Sequence, residues 1–471
     1  MLLRFSHTSC SSFSKFFLLK FTACYGDQSR WVDQVTEFID AVDLPKSRFY
    51  KVVNELRSAG ILEVQKSKPT EISRVRYQVK IKEPAIWKAV ASKQLYLHER
   101  KIQQLLVWHS LPITERPHQL TVPQRILLIA LLEEADSGGI IRNIGFSNLA
   151  QRTGLTIRQV KNQMSKLREF HYARASLPGG NRTGITGRYN SVHALNLRHP
   201  SFGQQNASGG IVIFRQSAPL IDDEYLNFFY FQRRELLDYF SKRKHASSGQ
   251  IDQTDELLKL ANPAGNLKAS STWIFLNWLC HDLASRTLSE LWSELSELAL
   301  GELHTIIGSK IRGEWLSAYR ALIEEDDDEN PGQKKAVLSN QPDLSLLPLI
   351  EMSMCTAVRG IALGVKNALK DLKALPDQAQ NYHFQILPIP HRAEHGHFAL
   401  EITATDENQL TQTNAFALAL DFNPKQGKVT VDTITDVYAL KHSTLETTGL
   451  ATPPLTCPIL SKSPKRKSDS A

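Results

Sequence analysis

Cysteine is scarce in this chain: of 471 residues five are cysteine, Cys10, Cys24, Cys280, Cys355 and Cys457. They are odd in number, widely scattered and never spaced as C-x-x-C, which excludes a disulfide scaffold and a thiolate zinc site and predicts a reducing compartment. Long apolar runs are missing as well. Nothing approaches the roughly 20 residues of a membrane span, so no membrane partner is expected. Phe16, Phe17, Leu18 and Leu19 imitate a secretory signal near the start. Lys15 and Lys20 interrupt that run and no small-residue cleavage site follows, so the segment is read as a helix of the fold and the protein as cytoplasmic, or nuclear where the host has a nucleus.

The strings that mark common catalytic sites are also lacking: no G-x-x-x-x-G-K-[ST], G-x-S-x-G, H-E-x-x-H or G-x-G-x-x-G occurs. Gly427 and Lys428 have no upstream glycine to complete a phosphate loop. The one dense group of metal-ligand residue types is His391, Glu394, His395 and His397, and imidazoles so spaced can hold a divalent metal. His395 and His397 are similar to the paired histidines of metal-dependent DNA-nicking initiators, with Tyr438 as the matching nucleophile. Gly396 stands where that pattern has an apolar residue, so the group is read as a polar loop. The expectation is a non-enzyme without metal or cofactor.

What the chain does have is charge unevenly spread. The net +8 is made of 56 Lys and Arg against 48 Asp and Glu. Residues 1–200 hold 30 basic and 15 acidic residues, a net +15, and the remainder hold 26 and 33, a net −7. Such asymmetry predicts an anionic partner for the first segment.

That segment contains a repeat. A shift of 111 positions lays Leu44–Ile61, LPKSRFYKVVNELRSAGI, over Leu155–Tyr172, LTIRQVKNQMSKLREFHY, without a gap. Leu44 falls on Leu155, Phe49 on Val160, Val53 on Met164, Leu56 on Leu167 and Ile61 on Tyr172. The apolar positions recur at three and four, the mark of one buried helix face. Around the second copy lie an apolar helix (Val122–Ala135, with Pro123 in its first turn), a short apolar stretch (Ile140–Ile144) and a short helix that Ser147 caps and Gly154 ends. Thr156 is the expected N-cap of the long helix, and a hairpin through Pro178, Gly179, Gly180 and Gly184 follows, returning along Tyr189–Leu197. The first copy reads as helices over Ser12–Cys24, Ser29–Val42 and Pro45–Ser58, then strands over Ile61–Gln65 and Val75–Ile81.

The residues LAQRTGLTIRQVKNQMSKL and this element order resemble the winged helix-turn-helix DNA-binding proteins, over about residues 12–82 and 122–198. Two copies in one chain are similar to bacterial regulators acting as pseudo-dimers and to plasmid replication initiators. The resemblance implies that each third helix enters a major groove and each wing tracks the backbone. The side chains suit that role: Arg158, Gln159 and Asn162 can pair base edges, Lys161, Lys166, Arg182 and Arg188 can neutralise phosphates, and Thr156 sits at the entry of the helix. The matching residues of copy one are Ser47, Arg48 and Lys51, with Arg74 and Arg76 on its wing. Glu55 occupies the place of Lys166 and would repel phosphate, which ranks the first copy second. Winged helices also serve as protein-interaction modules, so a scaffold remains an alternative to a transcriptional regulator or an initiator.

The acidic half reads as helical and then strand-like. Tyr225–His245 and Ser270–Ile323 are expected helices. Leu288, Leu291, Leu295 and Leu298 are read as bundle core in preference to an oligomerisation seam. Glu324–Glu329 is a solvated loop, Leu344–Leu375 a further helix, and residues 383–390, 397–406, 414–422 and 428–440 are strands of a small antiparallel sheet. The expected class is therefore α+β, mainly helical. Its expected parts are winged helix 1 (1–83), a helical linker (84–121) that holds the copies at a fixed separation so that they are not independent, winged helix 2 (122–200), a helical region (201–330), a helix-plus-sheet domain (331–450) and a disordered basic tail (451–471). Double-stranded DNA is the expected partner, with homodimerisation through the C-terminal half.

Overall fold

The computed structural model describes residues 10–25, 30–32, 38–39, 42, 44–66, 77–82, 97–106, 120–142, 144–177, 179–181, 188–189, 191–199, 202, 209–214, 267–299, 301–313, 347–371, 382–387, 398–404, 416–423, 428–433 and 450. It is mixed α and β with helices predominating and small sheets. The expected helix Tyr225–His245, the acidic run Glu324–Glu329, the 391–397 histidine group, Tyr438 and the 451–471 tail lie outside the described residues.

The first unit runs α1 (Ser12–Tyr25), β1 (Arg30–Val32), α2 (Lys46–Ser58), β2 (Leu62–Lys66) and β3 (Tyr77–Ile81). Its sheet has the antiparallel order β1-β3-β2. The segment read as one helix over Ser29–Val42 thus opens with a strand, Arg30–Val32 pairing Val79 to Tyr77 of β3. A three-residue strand is too short to show its period of two, and tertiary pairing decides it.

After α3 (Glu99–Leu106), the second unit runs α4 (Val122–Leu132), β4 (Ile140–Ile141), α5 (Phe146–Thr153), α6 (Ile157–Glu169), β5 (Ala173–Leu177), β6 (Gly180–Asn181), β7 (Arg188–Tyr189) and β8 (Val192–Leu195). Its sheet order is β4-β8-β5, with β6 and β7 paired as a two-stranded extension. The two units therefore share sheet order, and in each a long helix leads into the second strand of the sheet. The 111-residue offset recurs in the fold: α2 and α6, and β2 and β5, begin and end at matching positions. Both long helices end in a left-handed residue, Gly60 at φ 71° and His171 at φ 61°. Both then turn back through one bond, Ile61 N–H to the Leu56 carbonyl at 2.9 Å and Tyr172 N–H to the Leu167 carbonyl at 2.8 Å.

A single core joins these units. Phe16 and Phe17 of α1, Phe49 and Leu56 of α2, Leu105 of α3, Ile126 to Leu131 of α4, and Val160 and Leu167 of α6 form one continuous cluster. α1 packs directly on α4, and α3, from the segment between the units, packs on both.

The acidic half adds β9 (Gly209–Phe214), α7 (Leu267–Leu291), α8 (residues 301–313), α9 (Leu347–Asp371), β10 (Tyr382–Ile386), β11 (Phe398–Ala404), β12 (Phe416–Asn423) and β13 (Lys428–Thr433). The expected four-stranded antiparallel sheet has a fifth strand, in the order β10-β11-β9-β12-β13. β9 sits at its centre, antiparallel to β11 and parallel to β12. Its run of Ile211, Val212, Ile213 and Phe214 is buried throughout, as a strand covered on both faces should be. The outer edge of β10 is closed by α7: Phe384 N–H donates to Ser289 Oγ at 2.9 Å and Ile386 N–H to Ser285 Oγ at 2.8 Å. Satisfying edge amides in this way removes a site for stray strand pairing.

α7 ends at Leu291, so the leucine ladder is not one continuous helical seam. Leu288 and Leu295 are buried in the second core with Leu291 and Leu298 packed against it. No helix among the described residues is long and apolar enough to cross a membrane.

Candidate nucleic-acid interface

α6 starts where it does because Thr156 and Gln159 form a capping box. Thr156 Oγ1 accepts from the Gln159 N–H at 3.2 Å, and Gln159 Oε1 accepts from the Thr156 N–H at 2.8 Å. Two of the first-turn amides are thereby satisfied. Gln159 is thus a structural residue first, with its amide oxygen occupied and only its NH₂ free to donate. Before it, Gly154 at φ 70° ends α5, as expected. Ser147 does not cap α5: the helix begins at Phe146, Gly145 takes the cap position, and no side chain caps it. Pro45 likewise precedes α2 in extended conformation, one position before the first turn expected for it.

With Val160, Met164 and Leu167 buried, α6 turns Arg158, Lys161, Asn162, Ser165 and Lys166 outward. Lys161 Nζ lies 5.8 Å from the centre of the Phe146 ring, a contact that restricts its stem while leaving the ammonium in solvent. Lys166 Nζ pairs with Glu169 at 2.6 Å, both side chains more than half exposed. Such a pair is worth little and yields readily to a competing anion. Ile157, 46% exposed at the first position of the helix, was not singled out by its sequence. Its position on the same face as Lys161 is the signal that could have found it. Ser147 and Asn148 are exposed at the start of α5 beside this face.

On α2, Ser47, Arg48 and Lys51 are exposed, together with Tyr50. The Arg48 guanidinium sits 5.2 Å from the Phe13 ring centre. Glu55 was expected to repel phosphate. Its carboxylate is instead bound to the start of α1, accepting the Ser11 N–H at 2.5 Å and the Ser11 hydroxyl at 2.8 Å. Arg74, Arg76 and Arg182 lie outside the described residues; Arg188 is placed on β7, and its side chain lies outside them too.

Behind this face sits His193 of β8. It is fully buried, bonds Ser176 Oγ through Nδ1 at 2.9 Å and rests 5.8 Å from the Phe146 ring. Burial first, and the Arg168 charge second, push its imidazole down to about 4, so it is neutral near pH 7. The chain matches no protein-family model, no curated protein and no solved structure. Among the described residues no group of three or more His, Cys, Asp or Glu could hold a metal ion.

Proposed function

We propose that the two N-terminal units are winged helices and that the chain binds double-stranded DNA sequence-specifically through them, as a transcriptional regulator. The observation that carries this reading is the outward face of α6: Arg158, Lys161, Asn162 and Lys166 exposed at helical spacing on a helix whose opposite face is core. An amide and a guanidinium at such positions suit adenine and guanine edges, ammonium groups suit phosphates, and an exposed Ile157 suits a thymine methyl. The repeated sheet order supports a wing beside each long helix. Origin binding by a replication initiator is the second reading, favoured by the fusion of two units in one core.

The test is binding of the full chain to random duplex DNA across a salt series. A DNA binder loses affinity linearly on logarithmic axes, by about 0.9 per phosphate neutralised. No binding at low salt overturns the reading in favour of a protein-interaction scaffold. Selection from genomic fragments then separates tandem origin repeats from isolated promoter sites.

A further inference from the structure

The N-terminus of α1 touches α2 and the turn that leads into α6 at once. From one side Glu55 of α2 holds Ser11 by its N–H and its hydroxyl. From the other, Gly154, two residues before the α6 cap, lies so close that a Cβ there would be 2.8 Å from Ser11 C and Ser12 N and closer still to the Cys10 carbonyl. One turn further along, Lys15 Nζ donates to the carbonyls of Gln151 and Arg152 at 2.6 and 2.9 Å, closing the end of α5. Two residues from different units that both contact Ser11 have their Cα atoms no more than about 14 Å apart, given the reach of a Glu side chain and standard backbone lengths.

We infer that residues 10–15 are a rigid spacer that fixes α2 and α6 as one composite reader, recognising two base-pair elements at a single separation and orientation. Glu55 and Gly154 are its positioning residues. The inference rests on the reading of α2 and α6 as DNA-contacting helices. From Glu55 to Lys51 and from Gly154 to Arg158 is one turn or a short loop each. The two reading faces therefore fall within about one turn of duplex, about 34 Å or 10 base pairs. A flexible tether would let the same two helices accept many spacings. Here the shared core and the Ser11 contacts leave one.

The experiment is selection of the full chain on a random 40-base-pair duplex pool, reading the separation between the two enriched elements. Wild type should give one dominant separation of about 10 base pairs or less, and inserting five base pairs into a selected site should weaken binding at least tenfold. Glu55→Ala should broaden the distribution and reduce the insertion penalty while each element alone binds as before. Glu55→Gln, whose amide oxygen still accepts the Ser11 N–H while its NH₂ donates to the Ser11 hydroxyl oxygen, should behave as wild type. Gly154→Ala, strained at its positive φ and against backbone, is the second variant and should broaden it further, with circular dichroism confirming the fold. Enriched elements at variable separations, or an unchanged insertion penalty in Glu55→Ala, overturn the composite reader and leave DNA binding standing. No enrichment of any duplex overturns both.

Discussion

Lys15 and Lys20 interrupt an apolar helix, and both are buried, at 5% and 4% exposure. Each ammonium is accounted for by a helix C-terminus from another segment: Lys15 by the end of α5, and Lys20 by the Leu106 carbonyl that ends α3. A cation against terminal carbonyls satisfies orphan acceptors and the helix dipole together. Lys15→Met keeps the apolar stem and removes both donors, so it should cost about 1 to 3 kcal/mol, read as a fall in the urea midpoint at unchanged slope. The capping box offers a milder test: Thr156→Ala should cost about 1 kcal/mol, a shift in melting temperature of a few degrees. Acid should act on two other buried residues. His193 and His281 are fully buried and pushed down to about 4, in both cases by burial first. An unfolded imidazole titrates near 6.5, so between those values the unfolded chain binds protons that the folded chain refuses, and stability held above pH 6.5 is lost as pH falls. From pH 7.5 to 5 the loss should be about 2 kcal/mol for each histidine. His281 packs 5.7 Å from the Phe398 ring, and a His281→Leu chain should show a visibly flatter dependence of its urea midpoint on pH.

α2 and α6 are one helix written twice, and they are where the proposal of DNA binding is most exposed to mutation. Arg158→Ala with Lys161→Ala should weaken binding about tenfold or more and lower the salt slope by about one for each phosphate contact removed. Arg48→Ala with Lys51→Ala should weaken it less, by titration under the same salt series. The margin between the two is narrower than charge along the sequence suggests, because the Glu55 carboxylate is tied to Ser11 instead of facing the phosphates. Helices of this kind are legible in the sequence since apolar residues at three and four must line up whatever the rest of the fold does, and the 111-residue shift found both copies. The four strands after residue 380 were legible from alternation and turns. Other elements were not. Arg30–Val32 is too short for its period to register, and β9 earns its central place only by pairing with β12 some two hundred residues later. The roles of Gln159 and Glu55 were equally hidden, because each is set by which backbone amide happens to lie within reach.

At the scale of the whole molecule, the +15 of the first 200 residues overstates what a partner would meet. Lys15, Lys20, Arg125, Arg152 and Arg174 are all buried, and Arg142, Arg174 and Arg198 face carboxylates of the acidic half. Arg142 pairs Asp282, while Arg174 and Arg198 clasp Glu401 of β11 at 2.6 and 3.2 Å. Around those pairs Ile140, Leu177, Val192 and Ala194 of the second unit belong to the core of the acidic half. The charge asymmetry is thus partly internal, and it joins the halves. Glu401 is the most demanding point of that junction, because its side chain is 3% exposed and so is that of Arg174. Glu401→Gln leaves two guanidinium groups without their counter-ion in a setting where water cannot replace it, which typically costs 3 to 5 kcal/mol, or about that here. Urea unfolding should report the loss as a lower midpoint. Replacing both partners, Glu401→Leu with Arg174→Met, should recover much of it, since removing a buried pair together is nearly neutral; Arg198, 13% exposed, keeps its bond to the Ile402 carbonyl. If the single and double variants are equally destabilised, shape at the β11 surface rather than charge pairing holds the basic and acidic halves together.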